Sequence, residues 1–226
     1  MKSLVIGALL VVASAGAYAA DAKLNNDKSK SSYAFGYQMG ENMKPGAKDL
    51  DPAAFARGLQ DAMSGSKAAL SPQDREAAIG KYREQMNQKQ QAAAEENRKR
   101  GDAYLAQNQK KAGVKVLASG VQYKVTKEGN GKSPQPSDTV SVHYRGTLIN
   151  GTEFDSSYKR NEPAVFPVNA VIRGWQEVLP LMKEGAKWEV AIPATMAYGD
   201  RGAGGMIGPN ETLLFEIELL SVQPKG

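Results

Sequence analysis

The 226-residue chain contains no cysteine. It therefore has no disulfide, no thiolate nucleophile and no thiol ligand for zinc. It also has no cysteine to carry a lipid after export, so the protein is not expected to be a lipoprotein. Histidine is nearly absent, since His143 stands alone. A Ser-His-Asp system would need that residue, and a metal centre would need clustered ligands. On its strand, His143 faces away from Val142 and Tyr144, so it is expected at the surface without a catalytic part. No metal and no cofactor is expected. Charge of one sign is also lacking. Lys and Arg total 29 against 24 Asp and Glu, interleaved, with a net charge of +5. That pattern argues against a nucleic-acid surface. After the first twenty or so residues, no apolar run is long enough to cross a membrane.

The first residues, MKSLVIGALLVVASAGAYA, follow the order of a secretory signal peptide. Lys2 supplies the positive start, Leu4 to Val12 the short apolar run, and Ala17-Tyr18-Ala19 the small-residue cleavage site. A signal peptide over residues 1–19 is expected. The mature protein would be periplasmic, outer-membrane associated or secreted.

Residues 20–29 are small and polar and are expected to be flexible. "SSYAFGYQMGENM" then reads as a first helix. Asp51-Pro52 supplies a helix start, with Asp as N-cap and Pro at the first helical position. Phe55, Leu59 and Met63 follow four residues apart, and Ser64-Gly65 marks the stop. Ser71-Pro72 opens a third helix with no clear stop before Lys111-Ala112-Gly113. Some 40 residues in one helix would extend roughly 60 Å. Its start carries Ile79, Tyr82 and Met86. Its middle, "NQKQQAAAEENRKRGD", has no large apolar side chain and should pass through solvent. Gly101 is its expected weak point.

Residues 20–112 thus form a helical region with too few large apolar groups for a core of its own. The missing burial is expected from a second copy, giving a homodimer. Tyr33, Tyr37, Phe55, Leu59, Met63 and Ile79 are the candidates for that interface. The connecting helix would cover about 72–112.

From residue 113 to 226 the pattern turns to alternation. Val121, Tyr123 and Val125 share one strand face; so do Val140, Val142 and Tyr144; so do Trp188, Val190 and Ile192; so do Leu213, Phe215, Ile217 and Leu219. Asn150-Gly151 marks a hairpin. One short helix is expected over 173–182, kinked or cut short by Pro180. Antiparallel strands around one helix define an α+β domain. The glycines of "GDRGAGGMIGPN" have neither the flanking strand and helix nor the lysine of a phosphate-binding loop, and read as a connection between strands. Trp175, at the start of the short helix, and Tyr198 and Ile207, on that connection, suggest a shallow apolar pocket.

The blocks "HYRGTL", "EFDSS", "VIRGW" and "AYG" fall in one order and spacing. Over residues 114–222 the chain thereby resembles the FKBP-type peptidyl-prolyl cis-trans isomerases. "SSYAFGYQMG", "GLQDAMSG" and "SGVQYKV" resemble the exported macrophage infectivity potentiator (Mip) branch of that family. The resemblance implies a curved antiparallel sheet around one helix, and a homodimer joined by the N-terminal helices. It implies catalytic roles for Asp155, Tyr198, Trp175 and Tyr144. Substrate contacts are implied for Phe154, Phe166, Val171, Ile172, Ile207 and Phe215. The implied substrates are proline-containing unfolded or exposed polypeptides, and macrolide ligands of the family are expected to bind. The alternative reading is a dimeric periplasmic chaperone that holds unfolded chains, with isomerase activity secondary.

Overall fold

The computed structural model describes residues 22–224, so the expected signal peptide over residues 1–19 lies outside the described residues. The chain parts between Ile79 and Gly80 into two compact units.

In the first unit, helix α1 (Asp27–Met43) begins earlier than the sequence suggests. The Asn26 side chain accepts from the Ser29 backbone N–H at 2.9 Å. The Ser29 hydroxyl in turn accepts from the Asn26 N–H at 3.3 Å. This reciprocal cap converts part of a polar segment expected to be flexible into a helix start. Helix α2 (Pro52–Met63) is capped as expected: Asp51 Oδ1 accepts from the backbone N–H groups of Ala53 and Ala54, both at 2.9 Å. The Ser71 hydroxyl accepts from the Asp74 N–H at 3.1 Å and opens helix α3 (Pro72–Asn108). No described residue of α1 or α2 is buried.

Helix α3 runs unbroken through Gly101. Gly101 and Asn97 are its buried residues. A Cβ on Gly101 would lie 2.4 Å from the Thr212 hydroxyl oxygen. The expected weak point is thus a contact point, where the lack of a side chain lets the helix lie against the sheet unit.

In the second unit, the described strands form a seven-stranded antiparallel sheet in the order β1-β2-β6-β7-β3-β4, with β5 also paired to β3. The strands are β1 (Val114–Val116), β2 (Gln122–Lys127), β3 (Thr139–Leu148), β4 (Glu153–Ser156), β5 (Ala164–Pro167), β6 (Lys187–Ile192) and β7 (Leu213–Gln223). β3 is the hub. One edge pairs with β7 from Thr139 to Leu148. The other edge is shared, with β5 opposite Thr139–Val142 and β4 opposite Arg145–Thr147. The expected alternation holds on the long strands. Val140, Val142, Tyr144, Trp188, Val190, Ile192, Leu213, Phe215, Ile217 and Leu219 are all buried in one core.

Helix α4 (Arg173–Val178) contributes Trp175 and Val178 to that core. It ends at Val178, and a single 3-10 turn, Leu179–Leu181, continues past it with Pro180 inside the turn. A 3-10 turn accommodates the missing proline N–H where an α-helix would lose a bond. Gly174 sets the closeness of α4 to the sheet: a Cβ there would lie 2.5 Å from Ile192 Cγ2. The glycine lets Trp175, the next residue, sink to 3% exposure.

Candidate active site

Trp175 is ringed by aromatics from three strands. Its ring centroid lies 5.3 Å from Tyr144 (β3), 6.1 Å from Phe166 (β5) and 5.3 Å from Phe215 (β7). The interplanar angles are 88°, 90° and 82°, the edge-to-face geometry that aromatic quadrupoles favour. Phe154 (β4) meets Phe215 edge-on at 5.6 Å. Val171 and Ile172, just before α4, are half-buried and pack on the same core, which also holds Ile207.

Polar groups stand at one edge of this cluster. The Tyr144 hydroxyl donates to Asp155 Oδ2. Arg160 Nη1 donates to Asp155 Oδ1 at 2.6 Å, and its Nη2 donates to the Tyr144 hydroxyl at 3.1 Å. The guanidinium also stands 5.7 Å from the Tyr144 ring centroid. Both carboxylate oxygens of Asp155 are therefore engaged by this chain's own donors. The Tyr144 backbone is fixed by the fully buried Ser157 hydroxyl, which accepts from its N–H at 2.8 Å. His143 Nδ1 lies 3.0 Å from the same hydroxyl, and its ring stacks on Tyr158 at 4.8 Å. His143 is half-buried rather than free at the surface, because Tyr158 covers it. Tyr198 is 41% exposed, on the segment that follows β6.

The structure thus brings Tyr144, Phe154, Asp155, Phe166, Trp175 and Phe215 together by direct contact. Val171, Ile172 and Ile207 join them through the shared core. Tyr198 senses the Asp155 charge. Arg160 is the residue that sequence reasoning missed. It lies in the irregular "SYKRNEP" segment, where no periodicity marks it. The one available signal was a cation five residues past an acid already singled out.

These contacts set the ionisation of the site. Partial burial pushes the Asp155 carboxyl up, but hydrogen bonds from Tyr144 and Arg160 outweigh it, and the pKa falls below the usual 3.8. Burial pushes the Tyr144 hydroxyl above the usual 10.0, assisted by its bond to Asp155. Burial, then the Asp155 charge, does the same for Tyr198. Asp155 is depressed, so its stabilising contribution is present above the unfolded carboxylate value and is lost as pH falls through the folded one. The two tyrosines are raised, so theirs is lost as pH rises through their folded values. Activity carried by this cluster is expected to stay level from about pH 5 to 9, as a pH–rate profile will show. A break near neutrality would contradict that ionisation.

The sheet unit is thus an antiparallel sheet packed on one short helix, with aromatic side chains gathered around Trp175 and charged and hydroxyl groups at one edge. Residues 130–220 match the model of the FKBP-type peptidyl-prolyl cis-trans isomerase domain. Residues 28–125 match the domain amino-terminal to FKBP-type peptidyl-prolyl isomerase. The outer membrane protein MIP of Legionella longbeachae is 46% identical, with 97% of each chain covered. The peptidyl-prolyl cis-trans isomerase Mip of Coxiella burnetii is 43% identical over the whole of both chains. The crystal structure of FkpA from Escherichia coli superposes with a TM-score of 0.66 at 38% identity, covering 89% of this chain and 99% of that one. The chain belongs to the FKBP-type peptidyl-prolyl cis-trans isomerases.

Proposed function

We propose that the protein speeds rotation about X-Pro bonds in exported polypeptides by seating the proline on Trp175. Peptide-bond rotation faces a barrier of roughly 18–20 kcal/mol because it breaks amide resonance. For X-Pro the two isomers are close in energy, so the barrier is the obstacle. The twisted amide has lost charge separation, and an apolar site favours it over the planar, more polar ground state. No covalent step is needed. The observation that carries this reading is a buried indole ringed edge-on by three aromatics, with charged and hydroxyl groups confined to one edge.

Within that reading, Trp175 is the floor and Phe154, Phe166, Val171, Ile172, Ile207 and Phe215 are the walls. The Tyr198 hydroxyl and the Ile172 backbone N–H hold the substrate backbone. Asp155 acts through its field and through the Tyr144 hydroxyl, because its oxygens already accept from Tyr144 and Arg160. Asp155→Ala and Tyr198→Phe are expected to lower kcat/KM on a short X-Pro peptide by about tenfold or more, each tenfold corresponding to about 1.4 kcal/mol of barrier. Far-UV circular dichroism should be unchanged, because neither change removes core volume. Wild-type rates in both variants would refute these roles.

Residues 1–19 support export, and one relative carries the name of an outer membrane protein. No helix among the described residues is long and apolar enough to cross a membrane. We assign the isomerase domain to residues 113–226 and the dimerisation region to residues 20–112. The last turns of α3 nevertheless bond to the sheet: Gln122 Nε2 donates to the Leu105 carbonyl at 2.9 Å, and Asn108 Nδ2 donates to Gln122 Oε1 at 2.9 Å. A fragment from Gly80 is therefore expected to be more stable than one from Val114, and both to turn over a short peptide. Thermal unfolding monitored by circular dichroism, with a peptide assay, tests this. Inactivity of both fragments would overturn the assignment.

A further inference from the structure

Besides these last turns, helix α3 touches the segment that leads into β7. Asn97 is 7% exposed, although it lies in a polar stretch of helix. Its Nδ2 donates to the Pro209 carbonyl at 2.8 Å. Its Oδ1 accepts from Arg100 Nη2 at 2.5 Å, and the same Arg100 nitrogen stands 3.8 Å from Glu211 Oε1. One turn on, Gly101 lies against Thr212, which is 3% exposed. Four consecutive positions of the chain, Pro209 to Thr212, therefore include three held from α3.

That segment is flanked by two pocket walls. Ile207 lies two residues before Pro209, and Phe215 lies three residues after Thr212. The Ile207 side chain lies in the core, but its backbone has few ties. Its backbone pairs with Ala203 in an isolated two-bond bridge, at 2.9 and 3.0 Å, within a glycine-rich loop. Gly202, Gly204 and Gly205 in that loop take positive φ. The Asn210 N–H adds one tie, to the Gly199 carbonyl at 2.8 Å. A loop with so few ties gains most of its definition from outside.

We propose that Asn97 is a positioning residue for the isomerase. It holds the Pro209 carbonyl and so sets where Ile207 stands over the substrate. Helix α3 then forms part of the apparatus that selects the residue beside proline. A half-buried carbonyl beside Asn97 loses its partner if the donor is removed, and the loop can relieve that cost by turning toward water. Such a turn moves Ile207 and leaves Trp175, Tyr144 and Asp155 in place.

The inference rests on the isomerase reading, and the experiment separates the two. The full chain and its Asn97→Ala, Asn97→Asp and Arg98→Ala variants are assayed on X-Pro peptides differing in X. Asn97→Asp keeps the shape and the pairing to Arg100 but sets an acceptor against the Pro209 carbonyl. Arg98, which pairs with Glu95 and Asp102 on the exposed side of α3, is the control and should leave all rates unchanged. Asn97→Ala is expected to lower kcat/KM by about threefold to tenfold, the factor one hydrogen bond is worth. The loss should be unequal across X and carried by KM. Asn97→Asp should lose at least as much. An Asn97 that merely docks the helix would shift the melting temperature, leave every peptide rate unchanged, and tolerate Asp through Arg100; that result overturns the proposal. A wild-type chain inactive on all the peptides would instead remove the isomerase reading itself.

Discussion

Trp175→Ala is expected to destabilise the sheet unit by about 3–5 kcal/mol, the cost of emptying a buried aromatic site. The indole is 3% exposed and touches Tyr144, Phe166 and Phe215, so no neighbour is free to fill the gap cheaply. Loss of activity in that variant would be ambiguous, because the floor and the fold fail together. Trp175→Leu separates them. Leucine keeps part of the apolar volume but not the broad ring face, so the chain should fold while kcat/KM on an X-Pro peptide drops at least about tenfold. A folded Leu variant with wild-type kcat/KM would reduce Trp175 to a core residue. Trp188 is the fluorescence control. It stacks on Tyr123 of β2 at 4.4 Å rather than on the rings around Trp175 and should not respond directly to a pocket ligand.

The second large effect concerns association. Phe35, Tyr37 and Met63 are 73%, 60% and 81% exposed, and Tyr33, Phe55, Leu59 and Ile79 are each more than two-fifths exposed. No described residue of α1 or α2 is buried within the chain. Each such side chain gains about 1.5–3 kcal/mol if fully buried. A helical unit with all of this surface open needs a partner face, and we propose a second copy. Sedimentation of the mature chain should give the mass of two chains. Met63→Asp combined with Phe35→Asp should give one chain and lose helicity below the melting temperature of the sheet. A wild-type single-chain mass at micromolar concentration would contradict the dimer. Spacing does not single out Phe35, because it falls between Tyr33 and Tyr37 and off their face.

The legible parts of the fold were those with long local patterns. Alternation over β3, β6 and β7 marks ten inward residues, and the Asp51-Pro52 and Ser71-Pro72 caps mark two helix starts. β1, β4 and β5 are three or four residues each, too short to display a period. The local sequence places Asn97 and Gly101 in solvent because their partners, Pro209 and Thr212, lie more than a hundred residues away. A polar residue buried by a distant carbonyl has the same local sequence as one in water. The aromatics that gather around Trp175, and Asp155, are implied by the family resemblance, while Arg160 is not, because an ion pair to a loop has no spacing rule. Gly174 illustrates the reverse: its meaning is a distance to Ile192, which no composition conveys.

The most direct test of the account is the proline-limited refolding of an unfolded client protein, followed at several concentrations of the full chain and of Trp175→Leu. The account predicts that the wild-type chain accelerates the slow phase in proportion to its concentration, with or without a chelator, and that folded Trp175→Leu does so weakly. A slow phase that neither protein changes, or that both accelerate equally, would contradict catalysis by the tryptophan-floored pocket.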